Sequence, residues 1–208
     1  MAGLREKQKA DRRRRILQAA GELFRSAGYD HARIEDIAER AGVSVGTFYN
    51  YFGNKGDILL ETVSMEVEEV LEAGNALVAE PPGAVPEAIL ALILSYYEHS
   101  LTYLSKEMWR TAMAVSIRAP ETPFGQHYTA LDRRLSTQVC AMIAGLQARG
   151  LVRAELDPQA VGELLFNNLN MMFIEFTKDE AMSMAALTAA VERQVRPLAA
   201  MISAPPAG

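Results

Sequence analysis

An all-α fold is what this sequence predicts, and three observations carry the prediction. Apolar residues recur at three- and four-residue spacing through segment after segment, no stretch alternates apolar and polar over a strand's length, and Gly and Pro cluster between the periodic segments. About nine helices are expected, as a three-helix N-terminal domain over residues 1–55 and a larger helical domain over 56–208, with no internal repeat.

Composition sets the outer limits. Half of the 208 residues are hydrophobic, enough for a sizeable core and too many for a disordered chain. No apolar run approaches the roughly 20 residues that span a bilayer, and the basic N-terminus is not followed by an apolar segment with a cleavage site. A cytoplasmic protein without a membrane partner is expected. The single cysteine, Cys140, has no internal disulfide partner and is read as a small core residue. The net charge of −5 divides unevenly: residues 1–55 carry 11 Lys and Arg against 7 Asp and Glu, and the remainder 10 against 19. A head of +4 on a body of −9 concentrates attraction to polyanions at one end.

In chain order, residues 1–10 are polar and basic and are expected to be disordered off DNA. Asp11 is placed to cap a helix in which Ile16, Ala20, Leu23 and Ala27 recur at four, three and four, and Gly28 ends it. Arg12 to Arg15 sit on the first turns of that helix, where positive charge opposes the helix dipole; a phosphate backbone would answer them, and a solvated charged arm is the alternative.

The stretch 34–52 reads as a helix-turn-helix. Ile34, Ile37, Ala38 and Ala41 line a first short helix, Gly42 closes it in the left-handed conformation, Val43 can plug the core, and Ser44 is a good N-cap for a second helix. Val45, Phe48 and Phe52 give that second helix an apolar stripe. Its other residues are Gly46, Thr47, Tyr49, Asn50 and Tyr51, a polar face able to reach phosphates and base edges in a major groove. Asn50 suits an adenine edge, and Thr47 a base or a thymine methyl. Spacing alone leaves a plain core-forming pair of helices as an equal alternative.

From about residue 13 to 60 the chain resembles the DNA-binding domain of TetR-family transcriptional regulators. The resemblance rests on Ala20-x-x-Leu23-Phe24, Gly28-Tyr29, Ile37-Ala38, Ala41-Gly42-Val43-Ser44, Gly46-Thr47-Phe48-Tyr49, Tyr51-Phe52, Asn54-Lys55 and Leu59, all in one register. Two positions depart from the family's pattern: Arg33 stands where Ser or Thr is usual, removing an N-cap, and Val45 stands where Lys is common, removing a phosphate contact. The resemblance implies a double-stranded DNA operator as partner and places Lys55 against phosphate. Together with the polar face it gives Arg33, Ser44, Gly46, Thr47, Tyr49, Asn50, Tyr51 and Lys55 as the DNA-contact set.

The body is expected to follow a helix over 55–79 and a Pro- and Gly-rich linker at 81–86. Further helices are read from 86, over 106–118, through Leu131 to Leu146 with Gly150 closing, over 158–177 after Asp157, and from Ser183 onward with a kink at Pro197. Residues 204–208 are expected to be a loose tail. The helix over 158–177 is apolar nearly all round, which predicts a homodimer with Leu165, Met172, Leu187, Val191, Val195 and Leu198 at the interface. An interhelical pocket for a small apolar effector, also the family's usual arrangement, is assigned to Tyr96, Trp109, Met113, Asn167, Asn170 and Met171. The alternative is that these are core residues and amides paired internally or across a dimer.

No enzyme is expected. His31, His99, His127 and Cys140 lie in separate segments without ligand-like spacing, so no metal or cofactor is implied, and there is no Gly-rich phosphate loop. The expected function is a repressor released from a palindromic operator by an effector that tilts the helix over 55–79 and respaces the two recognition helices. Alternatives are a ligand-independent DNA-binding protein or activator of the same fold, or an all-α ligand carrier or enzyme.

Overall fold

The computed structural model describes residues 2–205, with side chains from residue 6, and contains nine helices among them. These are α1 (Ala2–Ala27), α2 (Ile34–Arg40), α3 (Val45–Tyr49), α4 (Lys55–Ala79), α5 (Val85–His99), α6 (Lys106–Arg118), α7 (Pro123–Ala148), α8 (Pro158–Lys178) and α9 (Met184–Ile202). The all-α expectation holds, and no described helix is long and apolar enough to cross a membrane. Chain contacts define two compact units, Met1–Met65 with Tyr103–Tyr128, and Glu66–Thr102 with Thr129–Gly208.

The first unit is built on the apolar stripe of α1. Ile16, Ala20 and Phe24 are buried, as are Ile37 and Ala38 of α2, Phe48 of α3, Phe52, and Ile58 and Leu59 of α4, and α2 packs on both α1 and α3. Gly42 takes φ +65° after α2, and Val43 N–H returns to the carbonyl of Ala38 at 2.9 Å, so the left-handed residue closes the helix as its sequence position required. The start of α6 is held to the end of α1: a Glu107 carboxylate oxygen accepts from Tyr29 N–H at 3.1 Å.

One boundary is corrected. α1 begins at Ala2 rather than at an Asp11 cap, and residues expected to be disordered continue the helix. The Glu, Lys, Gln and Ala of residues 6–10 are strong helix formers and carry the helix past its apolar stripe. Asp11 instead meets Arg14 at 3.0 Å and Arg15 at 3.5 Å, three and four positions on. Met1 and residues 206–208 lie outside the described residues, while Ala204 is not loose: its N–H donates to Leu151 O at 2.8 Å.

In the second unit α9 packs against α5 and α8. Leu187, Val191, Val195, Ala199 and Ile202 of α9 are buried, and Pro197 is carried inside the helix. α8 crosses α7 closely at Gly162, where a Cβ would lie 2.5 Å from the Cα of Cys140. A polar cluster ties three helices: Tyr96 Oη donates to Gln138 Oε1 at 2.5 Å, and Gln138 Nε2 donates to Leu71 O and Asn75 Oδ1, both at 2.8 Å. The Tyr97 hydroxyl donates to Leu169 O at 2.5 Å, and its ring stacks on Phe173.

Four of the six expected dimer residues are covered within their own chain. Leu165, Leu187, Val191 and Val195 are at most 1% exposed within a single chain, and Met172 and Leu198 are half-buried. The periodicity of those four marks the stripe with which α8 and α9 pack in their own chain. The side of α8 left to solvent instead carries Leu164 and Met171, 61% and 54% exposed, with Asn167 and Asn168 between them.

Candidate nucleic-acid interface

Local chemistry fixes α3. The Ser44 hydroxyl accepts from Thr47 N–H at 3.1 Å and lies 2.9 Å from the Thr47 hydroxyl, so the N-cap also holds the Thr47 side chain. Phe48 is fully buried, with Tyr49 edge-on to its ring and Phe52 6.1 Å away between centroids. The helix ends at Tyr49 with Asn50 as C-cap, so Phe52 grips the core from the following turn rather than from the helix itself. With Phe48 anchored inward, Tyr49 and Asn50 are turned to solvent, as are Ser44 and Gly46. Thr47 and Tyr51 are half-buried.

Arg33 precedes α2 in extended backbone with no side-chain cap, as its departure from the family pattern implied, and its guanidinium lies 3.5 Å from Glu35. It remains exposed.

Lys55 has a role that sequence reasoning missed. Its ammonium donates to the carbonyls of Tyr29 at 2.8 Å and Asp30 at 3.0 Å and lies over the Tyr29 ring at 4.9 Å. The charge thus braces the α1–α2 loop against the start of α4. Burial, with Asp30 and Asp57 nearby, raises the Tyr29 hydroxyl above its usual range. A second brace is Arg13, which pairs with Glu61 of α4 and lies over the Phe52 ring at 5.6 Å. The N-terminus of α4 is closed by a reciprocal cap: Asn54 Oδ1 accepts from Asp57 N–H at 3.2 Å, and Asp57 Oδ2 accepts from Gly53 N–H at 2.7 Å. Asn54 followed by Asp57 was the available sequence signal.

The residues expected to form an effector pocket fall in both units. Tyr96 is buried in the second unit, and burial raises its hydroxyl well above the usual range; Trp109 and Met113 belong to the first unit. Asn167 and Met171 are exposed on the outer side of α8, and Asn170 is half-buried, so Asn167 and Met171 are corrected from pocket to surface. Buried polar groups that the sequence did not single out are Gln138 and Glu66; half-buried His99 has its Nδ1 2.5 Å from Glu66 Oε1 and its Nε2 3.0 Å from Glu69 Oε2.

A capped short helix held by one buried aromatic, with its next residues turned outward and basic flanks, defines a helix-turn-helix nucleic-acid-binding protein. The family model for bacterial regulatory proteins of the tetR family matches residues 16–62. That stretch, 47 of the 208 residues, is similar to the N-terminal domain of TetR-family transcriptional regulators. It is similar to the HTH-type transcriptional repressor KstR of Rhodococcus jostii, 39% identical over 85 residues, which are 41% of this chain and 38% of that protein. It is also similar to the fatty acid metabolism regulator protein of Bacillus subtilis, 35% identical over 89 residues, 43% of this chain and 45% of that one. The matches thus span less than half the length of these curated relatives, which are named regulators rather than enzymes. A TetR-family transcriptional regulator from Mesorhizobium loti has a similar structure at TM-score 0.73 and 25% identity, covering 93% of this chain and 98% of that one. The fold is also shared by FadR of Bacillus subtilis in complex with stearoyl-CoA, at TM-score 0.65 and 21% identity over 87% of this chain and 96% of that one.

Proposed function

We propose that this protein is a repressor that binds a palindromic operator as a homodimer and leaves it when a small, largely apolar effector binds the body. The observation that carries the reading is the α3 geometry: Phe48 fully buried on one side, Tyr49 and Asn50 exposed on the other. Residues 1–55 act as the DNA-binding domain and residues 56–208 as the effector-binding and dimerisation domain. Action on DNA places the protein in the cytoplasm. In base reading we assign Asn50 and Tyr49 the leading roles, with Ser44, Gly46, Thr47, Tyr51 and Arg33 along the same edge. The exposed Leu164 and Met171 on the outer side of α8 support the dimer, since exposed apolar residues of this kind are what two-fold partners cover. Acyl-CoA thioesters are the effector class to test first, because FadR proteins of this fold bind lauroyl-CoA and stearoyl-CoA. A ligand-independent regulator is the second reading, favoured by the Gln138 amide, whose donors and acceptor are all engaged within the chain.

The test is selection of duplexes from a random-sequence pool by the full chain, followed by shift assays with and without stearoyl-CoA. A two-fold symmetric consensus is expected, with affinity falling in the presence of the thioester. Reciprocity requires the operator to weaken thioester binding by the same factor. Selection that yields no consensus would overturn specific DNA recognition, and an operator affinity unmoved by thioesters would leave the ligand-independent reading.

A further inference from the structure

The basic run at the start of α1 is resolved by the structure into different roles. Arg13 is committed to Glu61 and Phe52, and Arg14 and Arg15 are committed to Asp11. Arg12 and Lys9 are exposed and make no ion pair among the described residues. Both lie outside residues 16–62, the stretch that the family model matches.

Helical register gives these two cations a common direction. Lys9, Arg12, Ile16 and Ala20 follow one another at three, four and four positions, so they lie along one side of α1. Ile16 and Ala20 are fully buried in the head. The side of α1 that grips the domain is therefore the side that carries Lys9 and Arg12 beyond it. Arg13, beside them, lies over the ring of Phe52, in the turn that follows the reading helix. From Arg13 the helix runs a further eleven residues to Ala2, about 16 Å at 1.5 Å per residue.

We propose that Lys9 and Arg12 form a second DNA-contacting element, binding backbone phosphates of the duplex flanking the bases read by α3. This rests on the DNA-binding reading above and extends the contact surface beyond the helix-turn-helix. The contact is sequence-independent: two unpaired cations on a rigid helix, continuous with the reading head, neutralise phosphates and release their counterions. Asp11, Arg14 and Arg15 form a self-paired group on the rest of the helix surface and take no part.

The experiment measures binding of the full chain to a mixed-sequence duplex of about 30 base pairs by anisotropy, from about 50 to 200 mM salt, a range over which phosphate contacts dominate the change in affinity. The double variant Lys9→Gln with Arg12→Gln is expected to flatten the plot of log affinity against log salt by about 0.9 for each phosphate released, so by about 1.8 per bound chain. Arg14→Gln is expected to leave the slope unchanged, and Lys9→Arg with Arg12→Lys to restore it. Helix content and thermal midpoint of the double variant should equal wild type, since both side chains are exposed. Wild-type binding with an unchanged slope in the double variant overturns this proposal alone. A double variant that changes sedimentation instead of slope also overturns it, because the arm would then be meeting a second copy. Wild type that binds no duplex overturns both this and the proposed function.

Discussion

The ammonium of Lys55 donates to the backbone carbonyl of Tyr29 at 2.8 Å, joining the first residue of α4 to the loop that leaves α1. A lysine at this position thus acts inside the head whether or not it also faces phosphate. Lys55→Met should lower head stability by about 1–2 kcal/mol through loss of charge-assisted hydrogen bonds. Urea unfolding followed by helix signal checks this. A salt slope flattened by about one with unchanged stability would return Lys55 to a purely phosphate-contacting role.

Two substitutions on α3 should separate cap from reader. Ser44→Ala removes the N-cap and should cost about 1 kcal/mol of stability. Asn50→Ala leaves the fold intact and should cost about 1–3 kcal/mol of operator affinity, with discrimination lost at one base position. Shift assays over a panel of single-base operator variants read the difference.

At the outer side of α8, Met171→Glu should convert dimers to monomers at micromolar concentration without loss of the folded chain. Val191→Asp should instead unfold it, because Val191 is fully buried within its own chain and would carry an unpaired charge. Sedimentation and circular dichroism on both variants decide between interface and core at each position.

Asp132 provides a pH test. Burial raises its carboxyl from 3.8 to about 6. A raised folded-state pKa means that the folded chain holds the proton more tightly, so the stability contributed is present below about pH 4 and is lost as pH rises through about 6. Asp132→Asn should therefore exceed wild type in stability at pH 7–8 and converge with it below pH 4. Urea midpoints across that range measure it, and parallel curves for the two proteins would count against the assignment.

How far the sequence was legible depended on the range of the interaction. Gly42, Val43 and Ser44 could be read because helix closure and capping are settled within four residues, and the starts of α4, α6 and α9 came out correctly for the same reason. The bracing by Lys55 and Arg13 could not be read, since their partners Tyr29 and Glu61 are set by how three helices pack. α8 shows the other boundary of the method. Its period groups Leu164 with Met171 and Leu165 with Leu169, yet periodicity cannot say which group the chain itself will cover. Asn167 and Met171 were misplaced for that reason, and on α9 the same ambiguity held for Val191 and Val195.

The near approach of α8 to α7 at Gly162 gives the chain a built-in clock. Cys140, its only thiol, lies against that crossing, 5% exposed, with its Sγ 3.5 Å from Gln159 O. Burial raises the thiol above its ordinary range, which further suppresses the reactive thiolate. An alkylating reagent can reach the sulfur only while the two helices are apart, so the labelling rate of the unmodified protein counts those separations directly. The same measurement in the presence of DNA or an effector reports whether either one slows or quickens the opening of the body, without any engineered probe.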